Sequence, residues 1–538
     1  MDEKKQILKI CMQKGFLLDK EILESLSLLD GNSATSIIDT LSRLNIKERV
    51  ITRSIFSNHI ENLKSVLIDG ENRQFVEQFF VSMGYTLTEV GSSKVGGKVV
   101  KEELGKAEGV RIISSDLVTP KKIGVIDFVK HFRNRYEQMR KILQERNIEN
   151  LKSIRRLGND RDSQNIIVMI TEKKITKNKN IILEVEDLTG KIKILINSNK
   201  KEIFEKCKHI FVDQVVVFSV TGTREMLFVN DVIFPDSYLA EKKKSINDVS
   251  MAVISDVHVG SSMFLEENFL RFIKWINGVE GTDEQKKIAK KIKYLFIVGD
   301  TIDGVGVFPD QEKLLKIPDT INQYKKLTEF LKLIRNDIRI IICPGQHDAV
   351  WVGEPQPAIG EFWAPDLHSL ENVILVTNPS IVEIEGEFKV LMYHGASMHG
   401  LLQENDEIRV AHGHNSPTIL VKELLKARHL SPLHGISDYV PNEMRDPLVI
   451  DVVPDIMLTG DWHRSEISTY NNILLIASSC WQSITPFEEK VGNNPDPCKV
   501  PVFNLRSREI KILDFSTEPV DKDVVCNDPT DSVCEVKK

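Results

Sequence analysis

Along residues 249–515, short runs of Val, Ile, Leu and Phe alternate with longer amphipathic stretches. The runs are MAVISDVHV, KYLFIVGDT, RIIICPGQHD, FKVLMYHGA and PDIMLTGDWH. Continuous apolar runs of this length predict buried strands, and the stretches between them predict helices. Several runs end in polar residues, the place where sheets with crossover helices build active sites.

Residues 161–240 follow a different period. Ile192, Ile194 and Ile196 are interleaved with Lys193 and Leu195, the alternation of a half-buried strand. Five such strands, a tight turn at Asp187 to Gly190 and one helical insertion near 200–208 predict an OB-fold β-barrel. Barrels of this kind stack single-stranded bases on exposed aromatics. Phe204, Phe211, Phe218 and Phe228 mostly fall among apolar neighbours and are expected in the core, which favours a docking platform over a DNA groove.

Residues 1–75 carry the helical period: Ile22, Leu23, Leu26 and Leu29 follow Asp19, an N-cap. Gly31 and Asn32 stop that run, and Ile37, Ile38, Leu41 and Leu44 begin another. Residues 76–118, rich in Gly, Ser and Lys around 88–108, are expected to be a linker. The segment 119–160 reads as a basic helix, its residues 120–160 holding eleven Lys or Arg against five Asp or Glu. A solvated face of mixed charge is the first expectation for it, and contact with a phosphate backbone the second. The polar, acidic stretch 516–538 is expected to be a disordered tail.

The chain has 538 residues, 41% hydrophobic and 28% charged, an ordinary globular balance that excludes collagen-like and wholly disordered chains. Its length suggests about three or four domains. Net charge is −7, so bulk charge does not select a polyanion partner. Seven scattered cysteines with no C-x-x-C pair exclude a zinc ribbon and a redox motif. Cys343 and Cys480 read as small core residues. The charged N-terminus lacks a signal-peptide core, and no run of eighteen apolar residues occurs. A soluble cytoplasmic protein is expected.

Five fragments carry chemistry: Asp256-Val257-His258, Gly299-Asp300-Thr301-Ile302-Asp303, Gly345-Gln346-His347-Asp348, His394-Gly395 and Gly460-Asp461-Trp462-His463. Any one alone is weak. Five in this order, each after an apolar run, point to a dinuclear metal centre. Oxygen and imidazole donors together suit Mn²⁺, Fe²⁺ or Zn²⁺. A carboxylate such as Asp300 can bridge two ions, and two ions can polarise a phosphate, deprotonate a water and steady a leaving oxygen.

On these motifs, residues 249–515 resemble the calcineurin-like metallophosphoesterases, whose motifs run D-x-H, GDxxD, GNH(D/E), H and GHxH. Within that superfamily the chain is most similar to the small subunits of archaeal D-family DNA polymerases. LVKELLKARHLSPLHG, VIDVVPDIMLTG and CWQSITPFEEKVGNNPDPCKVPVFNL lie outside the metal motifs and read like that subunit. So does the order of parts: helical N-terminus, linker, barrel ending in NDVIFPD, phosphoesterase. The resemblance covers about 160–515.

The resemblance implies a multidomain α/β protein, in which a small N-terminal helical domain and an OB-fold barrel precede a calcineurin-like phosphoesterase sandwich. It implies two divalent ions, Mn²⁺ first, with Mg²⁺, Fe²⁺ or Zn²⁺ as alternatives. Asp256, His258 and His463 would hold one ion and Asp300 would bridge. Gln346, His394 and Asp461 would complete the second site. His347 would protonate the leaving 3′-oxygen. The reaction implied is 3′–5′ hydrolysis of DNA, proofreading beside a large catalytic subunit that makes the DNA, with a sliding clamp as a further partner. A scaffold with little or no activity and a stand-alone metallophosphoesterase are the alternatives. The latter leaves the barrel, basic segment and helical module without a task.

Two positions depart from the family pattern. Gln346 stands for Asn, and Asp461 for the first His of GHxH. Both fall on the same ion, and Asp461 makes that site harder, favouring Mn²⁺ or Mg²⁺. Among nearby residues, His399 is a candidate substrate contact. Arg464 is either a substrate-phosphate contact or a solvated cation. Asp303 and Asp348 are expected to orient loops, and Trp481 to wall the core. His412-Gly413-His414 reads as a surface or active-site loop, and His429 and His434 as packing or capping residues.

Overall fold

In a computed structural model, residues 109–115, 123–158, 163–223, 225–516 and 524–526 are described, with eleven positions among the first 108. The chain divides into two units, Met1–Glu102 with Thr119–Lys122, and Glu103–Val118 with Ile123–Lys538. In the first unit, Leu17–Leu18 runs parallel to Val50–Ile51, and Ile7, Cys11, Leu26 and Ile38 are buried. Most of the helical expectation for 1–75 lies outside the described residues.

The second unit contains a barrel and a two-sheet sandwich. Its first strand, β1 (Val110–Ser115), falls inside the expected linker. It pairs antiparallel with a strand at 380–384, and Val110 enters the apolar space between the two sheets. The Gly- and Lys-rich text upstream gave no sign of a six-residue strand whose partner lies some 270 residues away.

Five strands close the barrel: β2 (Gln164–Ile175), β3 (Ile181–Asp187), β4 (Gly190–Ile196), β5 (Val215–Thr223) and β6 (Met226–Ile233). Their order is β2-β3-β4-β6-β5, closed by β2 on β5. The β4–β6 pair is parallel and the other four are antiparallel. A helix, Lys201–Cys207, lies between β4 and β5. Ile192, Ile194 and Ile196 all face the barrel interior, as period two requires. Phe218 is fully buried there and Phe204 packs against it. Phe211 instead joins the sandwich core, and Phe228 is 46% exposed, against expectation.

The basic helix spans Val125–Gln144. One of its faces is docked and not solvated. His131 and Arg135 are buried, and Arg135 Nε donates to Asp446 Oδ2 at 2.6 Å. The partner lies 311 residues on, beyond the reach of any local pattern. Lys130, Arg133 and Lys141 stay on the exposed side.

The sandwich has two sheets. One is ordered β10-β9-β8-β7-β16-β17-β18, from β7 (Ser250–Ile254), β8 (Ile292–Val298), β9 (Arg339–Cys343), β10 (Val373–Leu375), β16 (Lys499–Asn504), β17 (Ile510–Asp514) and β18 (Val524–Cys526). The other is ordered β14-β15-β13-β12-β11-β1, from β11 (Ser380–Ile384), β12 (Phe388–Met392), β13 (Ile456–Thr459), β14 (Glu466–Tyr470), β15 (Ile473–Ala477) and β1. Strand β18 corrects the expectation of a wholly disordered 516–538: Val524–Cys526 pairs antiparallel with the sheet edge at β17. Strands β7 to β10 are parallel, and β7 to β9 are buried on both faces. Met251 and Val253 point between the sheets, with Phe296, Ile341, Val390 and Leu458. Ala252 and Ile254 face the helices Glu266–Ile276 and Thr320–Leu331, and Trp481 walls that layer. Helices Ser397–Gln403 and Pro417–Ala427 cover the second sheet. Helix–sheet–sheet–helix layering results, with several of the motif loops at strand ends. No helix among the described residues is long and apolar enough to cross a membrane.

Candidate metal centre

Asp256 and His258 follow β7, Asp300 follows β8, Gln346 and His347 follow β9, His394 follows β12, and Asp461 and His463 follow β13. Each chain must turn sharply once it leaves its sheet. Asp256, His258, Asp300, Asp461 and His463 do so with φ of 50°, 52°, 49°, 63° and 56°, the left-handed region that non-glycine residues rarely occupy. Such residues cost about 1–3 kcal/mol each and persist where surrounding structure imposes them. Here the loops are laced together. Asp256 N–H donates to Gly299 O at 3.0 Å, His258 N–H to Asp300 O at 3.1 Å, and Gly460 N–H to His394 O at 2.8 Å.

The side chains converge. His463 Nε2 lies 3.4 Å from Asp256 Oδ1 and 3.3 Å from His258 Nε2. His394 Nε2 lies 3.3 Å from Asp300 Oδ2, 3.8 Å from Asp461 Oδ1 and 3.9 Å from Asp256 Oδ1. Asp256, His258 and His463 form one donor group and Asp256, Asp300 and His394 a second, each with its donor atoms within 4.8 Å of one another. Asp256 therefore belongs to both groups, a sharing the motif pattern alone assigned to Asp300.

Gln346 Oε1, His394 Nε2 and Asp461 Oδ2 are among the buried atoms without a well-directed hydrogen bond, although His399 Nε2 stands 3.3 Å from Asp461 Oδ2 and Asp300 Oδ2 stands 3.3 Å from His394 Nε2. Unsatisfied buried polar atoms are costly, and the placement of His394 Nε2 and Asp461 Oδ2 among carboxylates and imidazoles fits a cation. Both departures from the family pattern, Gln346 and Asp461, supply one of these buried oxygens.

Electrostatics agrees with that donor set. Burial pushes the Asp300 carboxyl up, but His394, His347 and His258 outweigh it and hold the group below its ordinary value. Burial opposes charge on His394, yet Asp300, Asp256 and Asp461 raise it well above the usual imidazole value. Asp461 is held low against burial by His399 and His394. Asp300 and Asp461 are kept ionised by pairing with imidazoles.

The residues around the cluster set its orientation. His258 Nδ1 meets Asp303 Oδ1 at 3.1 Å, and His463 Nδ1 meets Glu488 Oε1 at 2.7 Å. His394 Nδ1 donates to Val298 O at 2.8 Å. Each leaves Nε2 facing the cluster. Asp348 accepts from Gly345 N–H at 2.9 Å and Tyr324 Oη–H at 3.1 Å, fixing the Gln346 loop. Asp303 and Asp348 thus orient, although Asp303 also groups with His258 and His347. Glycines allow the closeness: a Cβ at Gly299 would meet His394 Nδ1 at 2.2 Å.

His347 sits at the cluster's edge. Its backbone N–H donates to Asp300 Oδ1 at 2.8 Å, and its Nδ1 donates to Asp303 O at 2.7 Å. A carbonyl only accepts, so Nδ1 carries a proton and Nε2 is the atom left to exchange one. His399 comes to the site as well, Nε2 3.3 Å from Asp461 Oδ2 and its ring stacked 4.3 Å from Trp462. Arg464 is directed elsewhere, donating to Asn494 O at 3.2 Å.

Sequence reasoning missed Glu488 and Glu354. Thr485-Pro486-Phe487-Glu488 has the pattern of a capping box, and the box forms, but nothing in it announces that Glu488 also holds His463. Glu354 is buried beside Tyr393 Oη and Asn378, and burial pushes its carboxyl up to about 8. Asn378 in turn accepts the His394 N–H at 2.9 Å.

Fold and donor cluster define an α/β sandwich protein with a candidate metal site at its strand ends, and comparison with known proteins narrows the class. The family of the B subunits of DNA polymerases alpha and epsilon matches residues 251–468. The DNA polymerase II small subunit of Methanothermobacter thermautotrophicus is 37% identical over 72% of this chain and 79% of its own. That of Archaeoglobus fulgidus is 30% identical over 94% of this chain and 97% of its own. The chain spans 63% of the length of the Pyrococcus furiosus subunit, at 34% identity. E. coli Yfce, a phosphoesterase of known structure, covers 52% of this chain and 100% of its own, with 11% identity and a TM-score of 0.26. The chain belongs to the family of archaeal DNA polymerase II small subunits.

Proposed function

We propose that this chain is the exonuclease subunit of a D-family polymerase, hydrolysing the 3′-terminal phosphodiester of DNA and removing nucleotides in the 3′–5′ direction. The observation that carries this reading is the convergence of Asp256, His258 and His463 in one donor group and Asp256, Asp300 and His394 in a second, with Asp461 Oδ1 3.8 Å from His394 Nε2. Asp256, His258 and His463 would hold one divalent ion. Gln346, His394 and Asp461 would hold a second, with Asp300 and Asp256 available to both. When bound, such ions polarise a phosphate and lower the pKa of a water. The remaining work falls to the protein. Asp303 and Glu488 keep the imidazoles in the liganding tautomer. His347, with Nδ1 tied to Asp303 O, presents Nε2–H to the leaving 3′-oxygen and gives up that proton as the bond breaks.

The same reading takes the barrel as an OB-fold. Its strand order, parallel β4–β6 pair and helix between β4 and β5 support this. A large catalytic subunit supplies synthesis, and the barrel and sandwich faces dock it.

The deciding experiment follows a single-stranded oligonucleotide as it is shortened, with Mn²⁺ or Mg²⁺, for wild type and His347→Ala, counting bound metal in each. Stepwise loss from the 3′ end, reduced about 10²–10⁴-fold in the variant with metal retained, is expected. No cleavage and fewer than two ions bound, even beside the large subunit, would leave the scaffold alternative.

A further inference from the structure

Beside the Asp461 edge of the cluster lies a cavity of about 530 Å³ lined by His399, Leu402, Gln403, Glu404, Arg409 and His414. The metal cluster and its orienting residues give it no task. It is built and not incidental. Trp462 Nε1–H donates to His414 O at 2.7 Å, anchoring the Gly413–His414 loop to the residue between Asp461 and His463. His399 stacks on Trp462, and its ring centre lies 5.9 Å from that of His414. The cavity and the metal cluster therefore share a wall at His399.

The lining indicates what fits. Two imidazoles offer ring faces, Leu402 an apolar surface, and Gln403 and Glu404 amide and carboxylate hydrogen-bonding groups. An anion is a poor match, because Arg409 is already paired with Asp406, Glu404 lines the space, and Asp461 stands behind His399. A planar, uncharged heterocycle with donors and acceptors on its edge satisfies all of these groups. The volume lies within the range of small-molecule sites, about 300–1,000 Å³.

We propose that this cavity receives the base of the 3′-terminal nucleotide while its 5′-phosphate lies at the metal cluster. The ligand class is a deoxynucleoside 5′-monophosphate, held against His399 and His414. This deepens the exonuclease reading and rests on it for the position of the phosphate. His347 belongs to the His258–Asp303 edge and His399 to the Asp461–Trp462 edge. The leaving 3′-oxygen and the departing nucleotide are thus served from different edges of the cluster.

The test compares binding of dAMP and deoxyribose 5-phosphate by calorimetry, using the full chain with Mn²⁺. Stacking of one base supports about tenfold tighter binding of dAMP. His414→Ala is expected to close that gap, and Gln403→Trp, which fills the cavity from an exposed position, to do the same. Equal binding of the two compounds by wild type, or a gap unchanged in both variants, overturns the proposal. Hydrolysis of bis(p-nitrophenyl) phosphate, which has no base, is measured in parallel. A base-dependent gap without hydrolysis would sink the exonuclease reading alone. Hydrolysis without the gap would sink the pocket alone, and loss of both would sink both.

Discussion

Glu488 Oε1 stands 2.7 Å from His463 Nδ1, which turns His463 Nε2 toward Asp256 at 3.4 Å. A carboxylate can only accept at this contact, so the imidazole carries its proton on Nδ1 and offers a lone pair at Nε2. Removing such a partner typically weakens metal binding 10–100-fold. Glu488→Gln keeps the side chain's length and its capping role while removing the charge. We expect Mn²⁺ titration calorimetry to show at least about a tenfold weaker ion with the fold intact. Unchanged affinity would mean that His463 is not a ligand.

Gly345 gives a steric test of the same site. A Cβ there would lie 2.2 Å from Asp300 Oδ1 and 2.6 Å from His394 Nε2. Gly345→Ala should therefore push apart two donors and lower the metal content measured by elemental analysis. Gly306→Ala is the control. Gly306 has φ +76° and nothing within 4 Å of its Cβ position, so that change strains only the backbone and should leave metal content alone.

The candidate donors were legible because each motif rides the end of an apolar strand, and strand position and side-chain chemistry can both be read from neighbours in sequence. Glu488, Glu354 and Asn378 were not, since none sits in a metal motif and the partners they meet, 16 to 39 residues along the chain, follow no sequence period. Arg135 shows the same limit. Its neighbours made it one more cation on a charged helix, whereas its guanidinium meets Asp446 across 311 residues. Strands β1 and β18 escaped notice because short edge strands owe their pairing to the sheet they join more than to their own sequence.

That Arg135–Asp446 contact anchors the basic helix. Both side chains are buried, and His131 Nε2 and His429 Nε2 meet the same carboxylate at 3.2 and 2.9 Å. Burial pushes the Asp446 carboxyl up, but Arg135 and His429 overcome it and hold it well below the ordinary value. Asp446→Asn would leave Arg135 buried without its counter-charge, a loss of about 3–5 kcal/mol. Denaturant unfolding should show a loss in that range. A change below about 1 kcal/mol, the ceiling for most exposed pairs, would show the helix to be held by apolar packing alone.

His429 makes the same cluster acid-sensitive. Ser431 N–H donates to His429 Nδ1 at 2.9 Å, so the neutral ring keeps its proton on Nε2 and donates it to Asp446. Burial, aided by Arg135, lowers the imidazole to about 4, against about 6.5 in an unfolded chain. Between those values the unfolded state binds the extra proton, so stability rises with pH there and falls as the solution is acidified from about 6.5 toward 4. His429→Gln keeps a donor toward Asp446 but has nothing to protonate. The stability advantage of wild type over His429→Gln should therefore be largest above pH 6.5 and shrink steadily toward pH 4. Taking the difference cancels groups common to both proteins, including Glu354, raised to about 8, whose effect on stability runs the opposite way. Parallel melting curves from pH 7 to 4.5 measure the gap. A gap that stays constant across that range would mean His429 is protonated in the fold as readily as in the unfolded chain, and the neutral-donor assignment would fall.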